Sequence, residues 1–223
     1  MLRGIVDEKR FSLPLITPSD CAVVLVDYQA GLAFAAGSAD RQGFRSAALA
    51  LAKTAAAFSV PVVVSTSATK VYSGPLMPPL RAVLTDVVPI ERRNMNLWGD
   101  EAAKAAVVAT GRRTLVVAGL LTEACVSFQV LSALAEGYRV LVVADACGGL
   151  TQDSHWAALQ RMQQAGAVLT SWLQVLLEFQ RDWTRRETYE AARAIVVEHA
   201  GGYGIGLDYA RDMIKPAVVS KPS

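Results

Sequence analysis

Cys125 is the residue of this chain whose type and position say most about chemistry. It ends the run at 118–125 (AGLLTEAC), which follows an apolar stretch at 114–118 that is typical of a buried strand. The apolar run at 124–135 is typical of a buried helix, so the thiol would lie in the first helical turn. Free N–H groups and the helix dipole favour a thiolate there, and the same groups could bind an oxyanion. Cys125 is therefore a candidate nucleophile, and a buried, inert cysteine is the alternative.

A cysteine nucleophile needs a base, and Asp27 is the candidate. It follows the apolar run at 21–26, where partial burial would raise the pKa of its carboxyl group toward values that suit a general base. The alternative is a turn or capping aspartate. The loop at 91–98 (ERRNMNLW) adds Arg92 and Arg93, and a cation from this loop would stabilise a thiolate.

The elements that must position these residues are short apolar runs alternating with helical patterns. We predict strands at 21–26, 60–65, 87–90, 114–118, 139–144 and 168–171, and helices at 44–58, 101–110, 124–135 and 154–165. Strands that are apolar throughout are typical of a parallel sheet with both faces covered. The pattern therefore predicts a doubly wound, three-layer α/β/α sandwich with a six-stranded, mostly parallel sheet.

In such sheets the ligand site lies beyond the carboxyl ends of the strands. Asp27, residues 65–67, the loop at 91–98 and Cys125 all follow predicted strands and should meet at that edge. This convergence favours the interpretation of Cys125 as a nucleophile over that of an inert thiol.

The chain changes character at Trp172, after which only helical patterns follow. We predict helices at 172–183 and 187–199, and a flexible turn at the glycine-rich run 201–206. So apolar a tail must cover its own sheet or a partner subunit, which predicts a homo-oligomer. We predict one domain over residues 1–223, with a core at about 19–182 and a helical tail at 183–223.

Composition excludes several classes of function. The 22 basic and 20 acidic residues leave a formal charge of +2, which gives no electrostatic case for nucleic acid or an acidic membrane. Three cysteines at no framework spacing suit a reducing cytosol. Residues 1–14 lack the apolar core of a signal peptide, and no run approaches the roughly 20 apolar residues of a membrane span. We predict a cytoplasmic protein.

A metal site is not expected, because the two histidines, His155 and His199, lie far from the residues above. We predict that His155 is a surface or helix-capping residue and that the protein uses no metal and no cofactor.

Several runs resemble the motifs of the isochorismatase-like cysteine hydrolases, nearest to the YcaC-like branch. They are 23–31 (VVLVDYQAG), 92–98 (RRNMNLW) followed by Asp100, 118–125, and 143–149 (VADACGG) with further matches at 161–162 and 164–167. The resemblance extends from about residue 19 to residue 182. It implies the fold predicted above and an assembly of four or eight subunits.

The resemblance also implies an Asp–Lys–Cys triad, with Asp27 as base and Cys125 as nucleophile. The N–H groups of Ala124 and Cys125 would form the oxyanion hole, and a cis peptide bond would join Leu121 to Thr122. The loop of this chain has no lysine. Arg92 takes the position, with Arg93 beside it, and arginine keeps its charge but cannot act as a base. The predicted triad is Asp27–Arg92–Cys125, with Arg93 as the alternative cation.

We therefore predict a cofactor-independent hydrolase in which Cys125 attacks a small amide-like substrate and forms a thioester. Phe34, Asn96, Trp98 and Trp172 are candidate substrate-binding residues, and core packing is the alternative for each. Two other functions stay open. One is an isochorismatase-type ether hydrolase, which needs no cysteine. The other is a non-catalytic binding or assembly protein of the same fold, because arginine replaces lysine.

Overall fold

The computed structural model describes residues 15–214 of the chain. The prediction for residues 1–14 lies outside the described residues, and so does the end of the predicted tail, 215–223. Within residues 15–214 no helix combines the length and the apolar composition that crossing a membrane requires.

The described residues form one six-stranded sheet in the order β3-β2-β1-β4-β5-β6, with every neighbouring pair parallel. The strands are β1 Cys21–Val26, β2 Val62–Ser67, β3 Ile90–Arg92, β4 Thr114–Gly119, β5 Arg139–Val143 and β6 Val168–Thr170. Every residue of β1 and β4 is buried, as apolar strands covered on both faces must be. The predicted parallel sheet is confirmed.

Helices cover both faces of this sheet. They are α1 Ala30–Ala35, α2 Arg41–Ala57, α3 Pro78–Val83, α4 Glu101–Ala109, α5 Ser127–Ala135, α6 Gln152–Gln164, α7 Trp172–Gln180, α8 Arg186–His199 and α9 Gly202–Ile214. Crossovers between parallel strands are right-handed almost without exception, which puts α4, α5 and α6 on one face, where α5 packs against α6. On the other face α2 packs against α7 and α8. The predicted three-layer α/β/α sandwich is confirmed.

The second and third strands lie further along the chain than predicted. β2 continues through Ser67 and β3 begins at Ile90, because the backbone pairing of Ser67 with Arg92 extends beyond the apolar runs into polar residues. A search for apolar runs stops before such residues. As a consequence Arg92 is the last residue of a strand and not part of a loop.

The predicted flexible turn at 201–206 is wrong, because these residues belong to α9 and its start. Gly201 has a φ of 52° directly after the end of α8, where a left-handed residue commonly stops a helix. Gly204 lies against α8 so closely that a Cβ atom there would be 2.5 Å from the Val196 carbonyl oxygen. The glycines thus end one helix and let the next pack tightly on it.

Candidate active site

The site lies where the direction of strand order reverses. The chain builds the sheet outward from β1 to β3 and then returns to β4, which pairs with β1 on its other side. Val26 and Gly119 are partners at the ends of these strands. Asp27 directly follows β1, and Cys125 lies in the helical turn after β4. This is the topological switch point at which open α/β sheets bind ligands.

Asp27 and Arg92 form an ion pair whose side chains are completely buried. Arg92 Nη2 donates to Asp27 Oδ2, and Ser67 Oγ donates to the same oxygen at 3.2 Å. Arg92 Nη1 also donates to the Asn94 carbonyl. Arg93, in contrast, is exposed. The structure thus places Arg92, and not Arg93, against Asp27.

The environment of Asp27 strengthens its carboxylate as a base. Burial raises the pKa of the carboxyl group above its ordinary value, and the charge of Arg92 opposes this rise. Oδ1 is buried and has no hydrogen-bond partner among the described residues. The backbone has a φ of 53°, in the left-handed region that aspartate tolerates better than most residues. One carboxylate oxygen is thus held by Arg92 and Ser67, and the other can accept a proton.

Cys125 lies in a π-helical turn, Thr122–Val126, that leads into α5. Its side chain is near enough to Asp27 and Arg92 for hydrogen bonds with both to affect its pKa. Burial and, as a smaller cause, the charge of Asp27 raise the pKa of the thiol to about 11. Arg92 lowers this pKa. The expectation that the helix start would favour a thiolate is therefore wrong. The raised pKa favours the thiol form of Cys125 over the thiolate beside Asp27.

The turn also contains the backbone groups assigned to the oxyanion hole. The Leu121 carbonyl accepts hydrogen bonds from the N–H groups of Ala124 and Val126, both at 3.2 Å. Bonds of this length are at the long end of the normal range, so the Ala124 N–H is only weakly engaged. The roles of Ala124 and Cys125 in binding an oxyanion stay a prediction.

The cis peptide bond lies one residue earlier than predicted. Among the described residues it joins Leu120 to Leu121, not Leu121 to Thr122. Leu120 still belongs to the sheet edge, since its N–H donates to the Val26 carbonyl at 3.0 Å and it pairs with Gly148. Thr122 already belongs to the π-helical turn, so the cis peptide bond lies between the edge of the sheet and the start of this turn.

Two of the four predicted substrate-binding residues are Phe34, which lies on the protein surface, and Asn96, which lies against α5. The side chain of Phe34, on α1, is 76% exposed. Asn96 donates a side-chain hydrogen bond to Ser132 on α5 at 2.9 Å. The substrate role of Phe34 and Asn96 stays a prediction.

The two tryptophans pack against other rings. Trp98 meets Tyr138 edge to face with ring centroids 5.7 Å apart, and Tyr138 directly precedes β5, at the sheet edge opposite the site. Trp172 is buried and meets His199 of α8 at 6.3 Å. Both rings therefore have packing partners away from Cys125.

His155 is buried, which corrects its prediction as a surface or capping residue. Its Nδ1 atom shares a hydrogen bond of 2.8 Å with Oγ1 of Thr122, at the start of the turn that holds Cys125. The sequence contained a signal for this burial, because His155, Leu159 and Met162 recur at the spacing of one buried helix face. Ser67 was likewise placed at the correct edge, and the structure adds its bond to Asp27.

Comparison with known proteins places the chain in a family. The model of the Isochorismatase domain matches residues 21–174, which is more than half of the chain. The chain belongs to the isochorismatase family of hydrolases. The matched span contains Asp27, Arg92 and Cys125, and the resemblance inferred from the motifs is confirmed.

The chain is similar to YcaC proteins over most of its length, and to a nicotinamidase over a shorter span. The probable hydrolase YcaC of Escherichia coli K12 is 39% identical over 186 residues, which cover 83% of this chain and 88% of the relative. YcaC from Pseudomonas aeruginosa, solved with hexane-2,5-diol and covalent acrylamide, has a TM-score of 0.85 and 38% identity, covering 89% of this chain and 98% of that chain. The structure of E. coli YcaC, an octameric hydrolase of unknown specificity, has a TM-score of 0.85 and 37% identity, covering 91% and 100%. E. coli nicotinamidase is 48% identical over 58 residues, 25% of this chain and 27% of the relative.

The described residues contain no group of three or more His, Cys, Asp and Glu side chains that could hold a metal ion. Catalysis without a metal stays a prediction.

Proposed function

We propose that the protein is a cofactor-independent hydrolase in which Cys125 attacks a small amide-like substrate. The observation that carries this proposal is the buried Asp27–Arg92 pair beside the thiol at the switch point of the sheet. A buried ion pair is expensive to build, so its position beside a thiol favours a catalytic role over a purely structural one.

The geometry supports a proton path through Asp27. As the sulfur attacks the carbonyl carbon, an S–C bond forms, the C=O π electrons move to oxygen, and the thiol proton passes to Asp27. Asp27 then protonates the leaving nitrogen, the C–N bond breaks, and a thioester remains. Asp27 next takes a proton from water as the water oxygen forms a bond to the thioester carbon. The S–C bond then breaks, the C=O bond re-forms, and Asp27 returns the proton to the sulfur, which releases the acid and restores the thiol. Arg92 keeps the site electrically balanced throughout, because a guanidinium does not lose its proton.

The relatives support the two chemical components of the proposal. Acrylamide, which adds to thiols, is covalently bound in P. aeruginosa YcaC, as expected for a protein with an accessible nucleophile. Nicotinamidase takes its name from the hydrolysis of an amide. An ether hydrolase would use no cysteine, so the placement of Cys125 beside a base favours the amide.

Hydrolysis of a panel of small amides by wild type and by Cys125→Ala tests this function. We expect wild type to release ammonia or amine from at least one amide, and Cys125→Ala to lose that activity by about 10⁴-fold or more, as losing a nucleophile does. A matched control is Cys147→Ala, which removes a buried thiol outside the triad. If wild type hydrolyses none of the amides, the protein of this fold is a binding or assembly protein.

We also propose that the protein is a homo-oligomer. The chain aligns with all of an octameric relative, and helix α9 carries an exposed apolar stripe that a second copy would cover. Ile205, Tyr209 and Met213 follow at intervals of four residues, and are 72%, 65% and 64% exposed. A stripe of this kind on one helix face is unusual on a soluble monomer.

Light scattering at micromolar concentration should give a mass of two or more times the 23.8 kDa of one chain. Tyr209→Glu places a charge in the stripe and should lower that mass. Gln160→Glu adds the same charge at an exposed polar position of α6 and should not. A wild-type mass of 23.8 kDa would refute the oligomer. An unchanged mass for Tyr209→Glu would show that another surface forms it.

A further inference from the structure

The turn that holds Cys125 is tied to the chain segment 148–155 through two consecutive residues. The side chain of Thr122 is fully buried, and its Oγ1 atom shares the 2.8 Å hydrogen bond with His155 Nδ1. Its backbone N–H donates to the Gly148 carbonyl at 2.9 Å. The first residue of the turn is thus fixed from both its side chain and its backbone.

Glu123 provides the second tie. Its Oε1 atom accepts hydrogen bonds from the Leu150 N–H at 2.8 Å and from Ser154 Oγ at 3.0 Å. Gly149 directly precedes Leu150, and a Cβ atom there would be 2.6 Å from Glu123 Oε2 and 2.9 Å from His155 Cβ. Only glycine allows the segment to approach the turn this closely.

These ties act on the two residues that directly precede Ala124 and Cys125. Inside the turn, the Leu121 carbonyl is shared by two N–H groups at 3.2 Å, and the Ser127 N–H donates to the carbonyls of Thr122 and Ala124. The contacts that Thr122 and Glu123 make outside the turn fix its first two residues against the segment 148–155, and with them the direction of the Ala124 and Cys125 N–H groups. The shortest buried one is the Thr122–His155 bond.

We propose that Thr122 and His155 are positioning residues, whose hydrogen bond aims the Ala124 and Cys125 N–H groups at the oxygen that becomes negative during attack. The inference rests on the proposed function and adds to it a contact outside the triad. His155 acts through Thr122 and touches neither the substrate nor the sulfur. Misalignment of an oxyanion-binding group lowers the stability of the transition state without changing the charges of the triad.

Butyraldehyde tests the inference without knowledge of the substrate. The thiol adds to the aldehyde: an S–C bond forms, the C=O π electrons move to oxygen, and the thiol proton ends on that oxygen as a hemithioacetal. The hemithioacetal oxygen occupies the position of the oxyanion. Protection of Cys125 against iodoacetamide, followed by peptide mass mapping, gives the dissociation constant of the aldehyde.

Thr122→Val removes the hydroxyl group at nearly constant shape, and we expect it to raise this dissociation constant about tenfold. Thr122→Ser keeps the hydroxyl and should restore most of the affinity. His155→Leu should match Thr122→Val, whereas His155→Asn retains a polar atom near the position of Nδ1 and should recover part of the loss. The double variant Thr122→Val/His155→Leu should lose little more than either single variant, as expected for partners in one hydrogen bond.

A structural role alone would have a different signature. Iodoacetamide displacement puts no charge on a carbonyl oxygen, so the rate without aldehyde should stay within about twofold of wild type in Thr122→Val. An equal loss of aldehyde affinity and of alkylation rate would mean that the variant disturbs the fold, and would overturn the inference. Aldehyde affinity that is unchanged in both Thr122→Val and His155→Leu would also overturn it, with the hydrolase proposal intact. If butyraldehyde fails to protect wild-type Cys125, the proposed function fails, and the inference with it.

Discussion

Replacing Asp27 by Asn should abolish amide hydrolysis and yet make Cys125 more reactive toward iodoacetamide. The carboxylate is the proposed base, and losing a general base typically costs about 10²–10⁴-fold in rate. The same carboxylate raises the pKa of the thiol, which is about 11 in the intact site. Without its charge, and with Arg92 still present, the pKa falls. At a fixed pH below the midpoint, each unit of decrease raises the thiolate fraction about tenfold.

The opposite signs of these two effects separate catalysis from thiol reactivity. If Asp27 were only a structural partner of Arg92, its replacement would loosen the site and change the labelling of every buried thiol. Cys21 and Cys147 report such loosening within the same digest, because burial raises the pKa of each to about 12. Slower alkylation of Cys125 in Asp27→Asn would contradict the assigned electrostatics. Retained hydrolysis would contradict the assignment of the base.

The sheet and two members of the site could be predicted from sequence for a physical reason. A parallel strand buried on both faces needs an uninterrupted apolar run, and the polar residue that ends such a run must lie at the edge of the sheet. Asp27 ends the run of β1, and Cys125 follows that of β4 across a short turn. The switch-point rule then brings the two together without any knowledge of their contacts.

The choice between Arg92 and Arg93 could not be made in this way. Successive residues of a strand point to opposite faces, so the side chain that faces Asp27 depends on where β3 lies. The apolar run ends at Ile90, whereas the pairing of β2 with β3 continues to Arg92. Only the backbone register shows that Arg92 is still in the strand and that Arg93 is beyond it.

The protonation state of Cys125 was also beyond sequence reasoning. A helix start and burial act in opposite directions on a thiol pKa, and the sequence does not show which of the two effects is larger. The carboxylate of Asp27, distant in the chain, adds to the effect of burial. The consequence is mechanistic, because the proton must be removed during attack and not before it.

Replacing Arg92 by Met should raise the pH midpoint of Cys125 alkylation above about 11, because the guanidinium lowers the pKa of the thiol. At a fixed pH below that midpoint, alkylation should therefore slow. Hydrolysis should fall as well, by about 10²-fold or more at neutral pH, because Arg92 also holds down the pKa of Asp27. Without the cation the buried carboxyl stays protonated to higher pH, so the acidic limb of the activity profile should move upward.

Matched variants decide whether this effect belongs to Arg92. Arg93→Met removes an identical side chain at an exposed position and should leave both the midpoint and the acidic limb unchanged. Arg92→Lys keeps a cation and should preserve the direction of both pKa effects, although it loses the paired contacts to Asp27 and the Asn94 carbonyl. Asp27→Asn/Arg92→Met removes both charges, and should recover thermal stability lost in Arg92→Met, since an unpaired buried charge costs more than a missing pair. If Arg92→Met moves neither the midpoint nor the acidic limb, the guanidinium does not act on the thiol. The site would then operate as an Asp27–Cys125 pair.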